Sequence, residues 1–145
     1  TKMDKWKGER MVEVILVSHG SYAKAMLESS ELIVGEQENV TTFGFKLGEN
    51  VDDLKDSIEE KIKEIKAKTP EAEILVLTDM KSGSPFNATA RLMQHYDFEH
   101  IAGINFPLFL EVLATRDEAT AKELKESIME LKDDTIVDVN ELMEE

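Results

Sequence analysis

The sequence predicts an α/β fold: a doubly wound, mainly parallel sheet of order 2-1-3-4 with helices on both faces. Three features lead to it. Short aliphatic runs alternate with longer segments of helical period. The first and third runs, VEVILV and EILVLT, are nearly unbroken, as in strands covered on both faces. The chain's 145 residues, 41% of them hydrophobic, suffice for one core without covalent staples.

The first strand, residues 12–17, stops abruptly at Ser18-His19-Gly20. A helix follows over 22–34, in which Met26, Leu27, Leu32 and Ile33 read as core-facing. VTTFGF at 40–45 is the second strand. The segment 51–68 is the clearest helix, because Val51, Leu54, Ile58, Ile62 and Ile65 recur every three or four residues against a charged back. Asn50 is placed to cap it and Thr69-Pro70 to end it. A third strand at 73–78 precedes a helix over 85–96, with Ser84 as N-cap and Pro85 as first helical residue. A fourth strand at 100–105 leads into a helix over 107–115. The last helix, 118–131, turns Leu124, Ile128 and Leu131 inward, and TIVDV at 135–139 reads as a fifth strand, antiparallel at a sheet edge. One domain thus spans 11–145, preceded by a polar extension at 1–10.

Composition narrows the function. Seventeen lysines and arginines against 31 aspartates and glutamates give a net charge of −14. That field repels nucleic-acid backbones and anionic lipid and favours a basic protein partner. The absence of cysteine excludes disulfides, thiolate metal sites and thiol nucleophiles, and is compatible with a cytoplasmic setting. No apolar stretch reaches the roughly 20 residues of a membrane-spanning helix. The longest, IAGINFPLFLEVLA, carries Asn105, Pro107 and Glu111, so direct membrane insertion is not expected. With no Walker motif and no metal-spaced cluster, neither a nucleotide cofactor nor a metal is expected.

In open parallel sheets, ligands bind at the carboxyl ends of strands where strand order reverses. With the order 2-1-3-4, His19 and Asp79 face each other across that point. A carboxylate accepting a hydrogen bond from one imidazole N–H fixes the tautomer and leaves the other nitrogen's lone pair outward. It also stabilises positive charge that develops when that nitrogen attacks. The stretch Ser82-Gly83-Ser84-Pro85 supplies the complement: a helix start whose free N–H groups and dipole favour an anion, with Gly83 admitting close approach. A nucleophilic imidazole facing an anion cradle suggests phosphoryl capture. Taken singly, each residue also fits an ordinary strand end, turn or helix start. Lys81 fits either an anion-steering role or an exposed loop, while His95 and His100 read as structural.

At these residues the sequence resembles the IIA component of the mannose-type sugar phosphotransferase system. The likeness runs through SHG at 18–20, IVGEQENV at 33–40, FKLGEN at 45–50, LTDM at 77–80, GSPFN at 83–87 and IAGINFPLFLE at 101–111. The resemblance implies that His19 is phosphorylated on Nε2 and that Asp79 orients its ring. Ser84, Gly83, Ser82 and Gly20 would surround the phosphoryl group. It further implies the phosphocarrier HPr as donor and a histidine of the IIB component as acceptor. Membrane IIC and IID components act downstream, and the C-terminal strand is exchanged in a homodimer. Lys81-Ser82 stands where many relatives carry an aromatic residue and a glycine. The leader at 1–10, longer than usual in such proteins, also fits an alternative in which a IIA-like domain of a transcriptional regulator is controlled through His19. The related domain of dihydroxyacetone phosphorylation fits GSPFN and GEQENV less well, and a non-catalytic anion binder would survive loss of the imidazole.

Overall fold

The computed structural model describes residues 11–144, so the extension expected at 1–10 lies outside the described residues. Strands β1 (Glu13–His19), β2 (Val40–Phe45), β3 (Ile74–Thr78) and β4 (Glu99–Ala102) form a sheet of order β2-β1-β3-β4. All three pairings are parallel. The chain leaves β1 for β2 on one side and then crosses to β3 on the other, so the winding reverses between β1 and β3.

The helices are α1 (Tyr22–Val34), α2 (Val51–Lys68), α3 (Ser84–Leu92), α4 (Phe106–Thr115), α5 (Ala121–Leu131) and a short α6 (Val139–Met143). The strands' alternation divides the core. Val14, Leu16, Leu75 and Leu77 pack with Met26, Phe109, Val112, Leu124 and Ile128 from α1, α4 and α5. Ile15, Val17, Ile74 and Val76 point the other way, onto Leu54, Ile58, Ile62 and Ile65 of α2 and Ala88 and Leu92 of α3. Burying each such side chain contributes about 1.5–3 kcal/mol. A charge placed at fully buried Ile62 would unseat α2.

Local chemistry sets the helix ends. Asn50 Oδ1 accepts from the Asp52 N–H at 2.7 Å, and α2 stops before Thr69, both as expected. Helix α5 starts at Ala121, later than the expected 118, because Thr120 and Glu123 form a reciprocal capping box. Helix α3 also differs. Gly83 occupies the cap position at φ +92°, and Ser84 is the first helical residue, not the cap. It ends at Leu92, short of the expected 96, where the His95 and Tyr96 N–H groups both turn back to the Leu92 carbonyl. Strand β4 stops at Ala102, short of the expected 105, with Gly103 in the left-handed region at φ +92°.

The packing expected of three apolar residues is corrected. In α1, Met26 is buried and Leu27 partly so, but Leu32 and Ile33 are 89% and 65% exposed. Leu131, at the end of α5, is likewise exposed. The single chain shows no fifth strand at the expected 135–139. Lys132–Asp134 make a 3-10 turn, Ile136 and Val137 face solvent, and the Asp138 carboxylate accepts from the Glu141 N–H to start α6. Within the single chain this segment pairs with neither edge of the sheet, β2 or β4.

At the amino end of the sheet, Arg116 is 1% exposed at the end of α4. Its guanidinium donates to the carbonyls of Val12, Glu38 and Asn39 and to Gln37 Oε1. It closes the entry to β1 and β2.

Candidate functional site

The register Val17↔Thr78 brings the carboxyl ends of β1 and β3 side by side, and their next residues lie at the reversal point. There His19 and Asp79, 60 residues apart in sequence, meet. Asp79 Oδ2 accepts twice from His19: from the backbone N–H at 2.9 Å and from ring Nδ1 at 2.8 Å. A carboxylate oxygen offers only acceptor sites, so Nδ1 carries the proton and Nε2 holds the lone pair. The His19 side chain is 45% exposed and that of Asp79 14%, so the orienting group is sheltered while the ring is reachable. Asp79 Oδ1 is buried with no hydrogen-bond partner among the described residues.

The free face of the imidazole is set against the start of α3. A Cβ added to Gly83 would lie 2.8 Å from both Nε2 and Cε1, so the bare backbone of Gly83 abuts the nucleophilic nitrogen. No side chain caps α3, and Pro85 removes one N–H from its first turn. The other N–H groups of a first helical turn lack intrahelical acceptors and favour an anion. Ser84 stands at that start, and Ser82 lies exposed in the loop before it.

Gly20, expected beside the phosphoryl group, also shapes the turn after β1. At φ +55°, its N–H donates to the Phe45 carbonyl at 2.7 Å, so that donor is already engaged. The turn it makes carries the chain from β1 into α1. Ser18, 1% exposed, steadies the same turn by accepting from the Ala23 N–H at 2.8 Å.

Gly44 and Tyr22 were not singled out from sequence. A Cβ on Gly44 would come within 2.2 Å of the Gly20 carbonyl, so β2 needs glycine to let the His19 turn pass. Its signal was a glycine inside a strand, the usual mark of a close backbone approach. The Tyr22 hydroxyl donates to the Ile104 carbonyl at 3.1 Å, tying α1 to the loop after β4. Asn105 Oδ1 caps α4 by accepting from Leu108, and its Nδ2 donates to Thr135 Oγ1, so this residue is engaged structurally. His100 Nε2 lies 2.9 Å from Thr78 Oγ1, and burial pushes its imidazole down to about 4, so it is neutral at pH 7.

The site is thus a carboxylate-oriented imidazole at the reversal point of an open α/β sheet, beside a helix start without a side-chain cap. Known proteins place it further. The family described as "PTS system fructose IIA component" matches residues 13–129. The chain is 35% identical over 115 residues to the PTS system fructose-specific EIIA component of Bacillus subtilis, covering 79% of this chain and 77% of that protein. It is 32% identical over 133 residues to the PTS system sorbose-specific EIIA component of Lacticaseibacillus casei, covering 91% and 94%. The crystal structure of phosphotransferase system component EIIA from Streptococcus agalactiae matches with a TM-score of 0.81 and 29% identity, over 90% of this chain and 98% of that one. The chain belongs to the mannose/fructose/sorbose family of phosphotransferase-system IIA components.

Among the described residues, no helix is long and apolar enough to cross a membrane.

Proposed function

We propose that this chain is a cytoplasmic phosphoryl-relay component of a sugar phosphotransferase system, with His19 as the carrier. The observation that carries this reading is the Asp79-held His19 ring, which leaves Nε2 free against Gly83. Nε2 gives its lone pair to the phosphorus of phosphohistidine on HPr. As the new P–N bond forms, the old one breaks and its electron pair returns to the donor nitrogen. The group then passes by the same exchange to a histidine of the IIB component, upstream of the membrane IIC and IID components that import the sugar.

Such a transfer runs through a loose transition state, so it needs alignment and charge stabilisation more than proton transfer. Asp79 stabilises the positive charge that develops on the imidazole. The free N–H groups at the start of α3, with the Ser84 and Ser82 hydroxyls, receive the phosphoryl oxygens. Gly83 keeps the approach to Nε2 open, and Gly20 sets the turn that presents the ring. The negative net charge suits donors and acceptors that are basic around their own histidines. The exposed apolar residues of 136–143 suit a homodimer in which this segment is exchanged between copies.

Incubation with phosphorylated HPr, followed by intact-mass measurement, tests the reading. One acid-labile phosphoryl group is expected on the wild type, none on His19→Ala, and formation at least ~10-fold slower on Asp79→Ala. Failure of well-folded wild-type protein to take up the group would contradict it.

A further inference from the structure

We propose that His100 is a positioning residue for the His19 site, clamping the Asp79-bearing end of β3 to the start of α3. His100 lies on β4, two strands from His19, and nothing in its sequence setting ties it to the site. Yet its ring touches both segments that frame the nucleophile. On one side, Nε2 lies 2.9 Å from Thr78 Oγ1. Thr78 is fully buried and directly precedes Asp79, and its carbonyl accepts from the Gly103 and Ile104 N–H groups. On the other side, the His100 ring lies 5.5 Å from the Phe86 ring, tilted by 43°. Phe86 is in the first turn of α3, three residues beyond the Gly83 that abuts Nε2 of His19.

A wholly apolar residue at 100 would fill the same space, but it would leave the buried Thr78 hydroxyl without this partner. Histidine adds a directional bond to the packing contact. Being neutral, the ring does so without placing an uncompensated charge between the sheet and α3. Asp79 and Gly83 act on opposite nitrogens of one imidazole, so the ring's aim depends on how β3 and α3 sit relative to each other. His100 touches both of them.

The proposal rests on His19 being the phosphoryl acceptor, and its test separates the two. His100→Phe keeps the ring contact with Phe86 and removes the hydrogen bond. Thr78→Val removes the other partner, and Thr78→Ser restores a hydroxyl. The His19 tautomer is read by 15N NMR on unphosphorylated protein, and kcat and KM are read with phosphorylated HPr. His100→Phe and Thr78→Val are expected to mix the His19 tautomers and lower kcat roughly five- to tenfold at unchanged KM, with Thr78→Ser recovering both. Variants that unfold more easily in urea yet keep a single His19 tautomer and wild-type kcat would overturn the proposal, leaving His100 a packing residue. Should His100→Phe not fold, the two Thr78 variants decide the matter. If the wild type accepts no phosphoryl group, the relay reading fails, while the tautomer comparison still supports or overturns the clamp.

Discussion

The two ends of the sheet handle polar groups in opposite ways. At the amino end, the buried Arg116 guanidinium donates through both terminal nitrogens to the carbonyls of Val12, Glu38 and Asn39, leaving its Nε–H without a partner among the described residues. Burial lowers its pKa, and nearby Glu13, Asp117 and Glu38 act in the other direction. At the carboxyl end, polar capacity is left over: Nε2 of a half-exposed histidine, a buried Asp79 oxygen with no partner among the described residues, and a helix start without a side-chain cap. A polar group spent mainly on backbone carbonyls holds a fold together, whereas oriented, reachable ones are available to a ligand. The stabilising machinery and the site proposed to react therefore occupy opposite ends of the same strands, and substitutions should separate them.

The sharpest separation is expected from Gly83→Ala. The added carbon would sit against Nε2, and residue 83 has φ +92°, where a side chain is strained. Phosphoryl acceptance should fall at least ~100-fold in rapid-quench assays, while urea unfolding shows a loss of only about 1–2 kcal/mol. Arg116→Met should do the reverse. Removing the buried cation takes a donor from the Val12 and Glu38 carbonyls and leaves Asn39 with the Val14 N–H alone, so calorimetry should show a loss of about 3 kcal/mol, or roughly 6–12 °C in Tm, with acceptance by the folded protein changed less than about twofold.

The third test uses pH. The His100 imidazole titrates at about 4 in the fold because of burial, against an ordinary value of 6.5. Between those values the unfolded chain binds a proton that the native state does not. Stability from this group is therefore present above pH ~6.5 and is lost as pH falls through the window, by about 2–3 kcal/mol. The difference between wild type and His100→Phe, followed by urea unfolding from pH 7 to 4, should show that loss in the wild type alone. The smallest effect on folding is expected in the tail. Leu142→Ser, at a half-exposed position, should change single-chain stability by less than about 0.5 kcal/mol, yet sedimentation should show weakened dimers if the segment is exchanged.

The four parallel strands and five main helices were legible because each rests on local signals: aliphatic runs, the 3.6-residue stripe of α2 and the Asn50 cap. The meeting of His19 with Asp79 was legible as well, because both terminate strands that the predicted order makes neighbours. What escaped depends on distant partners. Nothing near Arg116 indicates that it reaches the entries of two strands, and nothing near His100 points to Thr78, 22 residues earlier. TIVDV reads as a strand by its β-branched residues, but strand formation also needs an edge to pair with, and none is met within the single chain. Leu32 and Ile33 follow the same logic in α1, where apolar character alone did not fix which way the last turn faces.

In the proposed relay, Asp79 occupies Nδ1 of His19 so that chemistry falls on Nε2. Long-range 15N–1H and 15N–31P NMR on the phosphorylated, histidine-labelled protein locates the phosphoryl group atom by atom. A single phosphoryl group bonded to Nε2 of His19, with Nδ1 still protonated, is the expected result. A phosphoryl group on Nδ1, or on any other residue, would contradict the assignment.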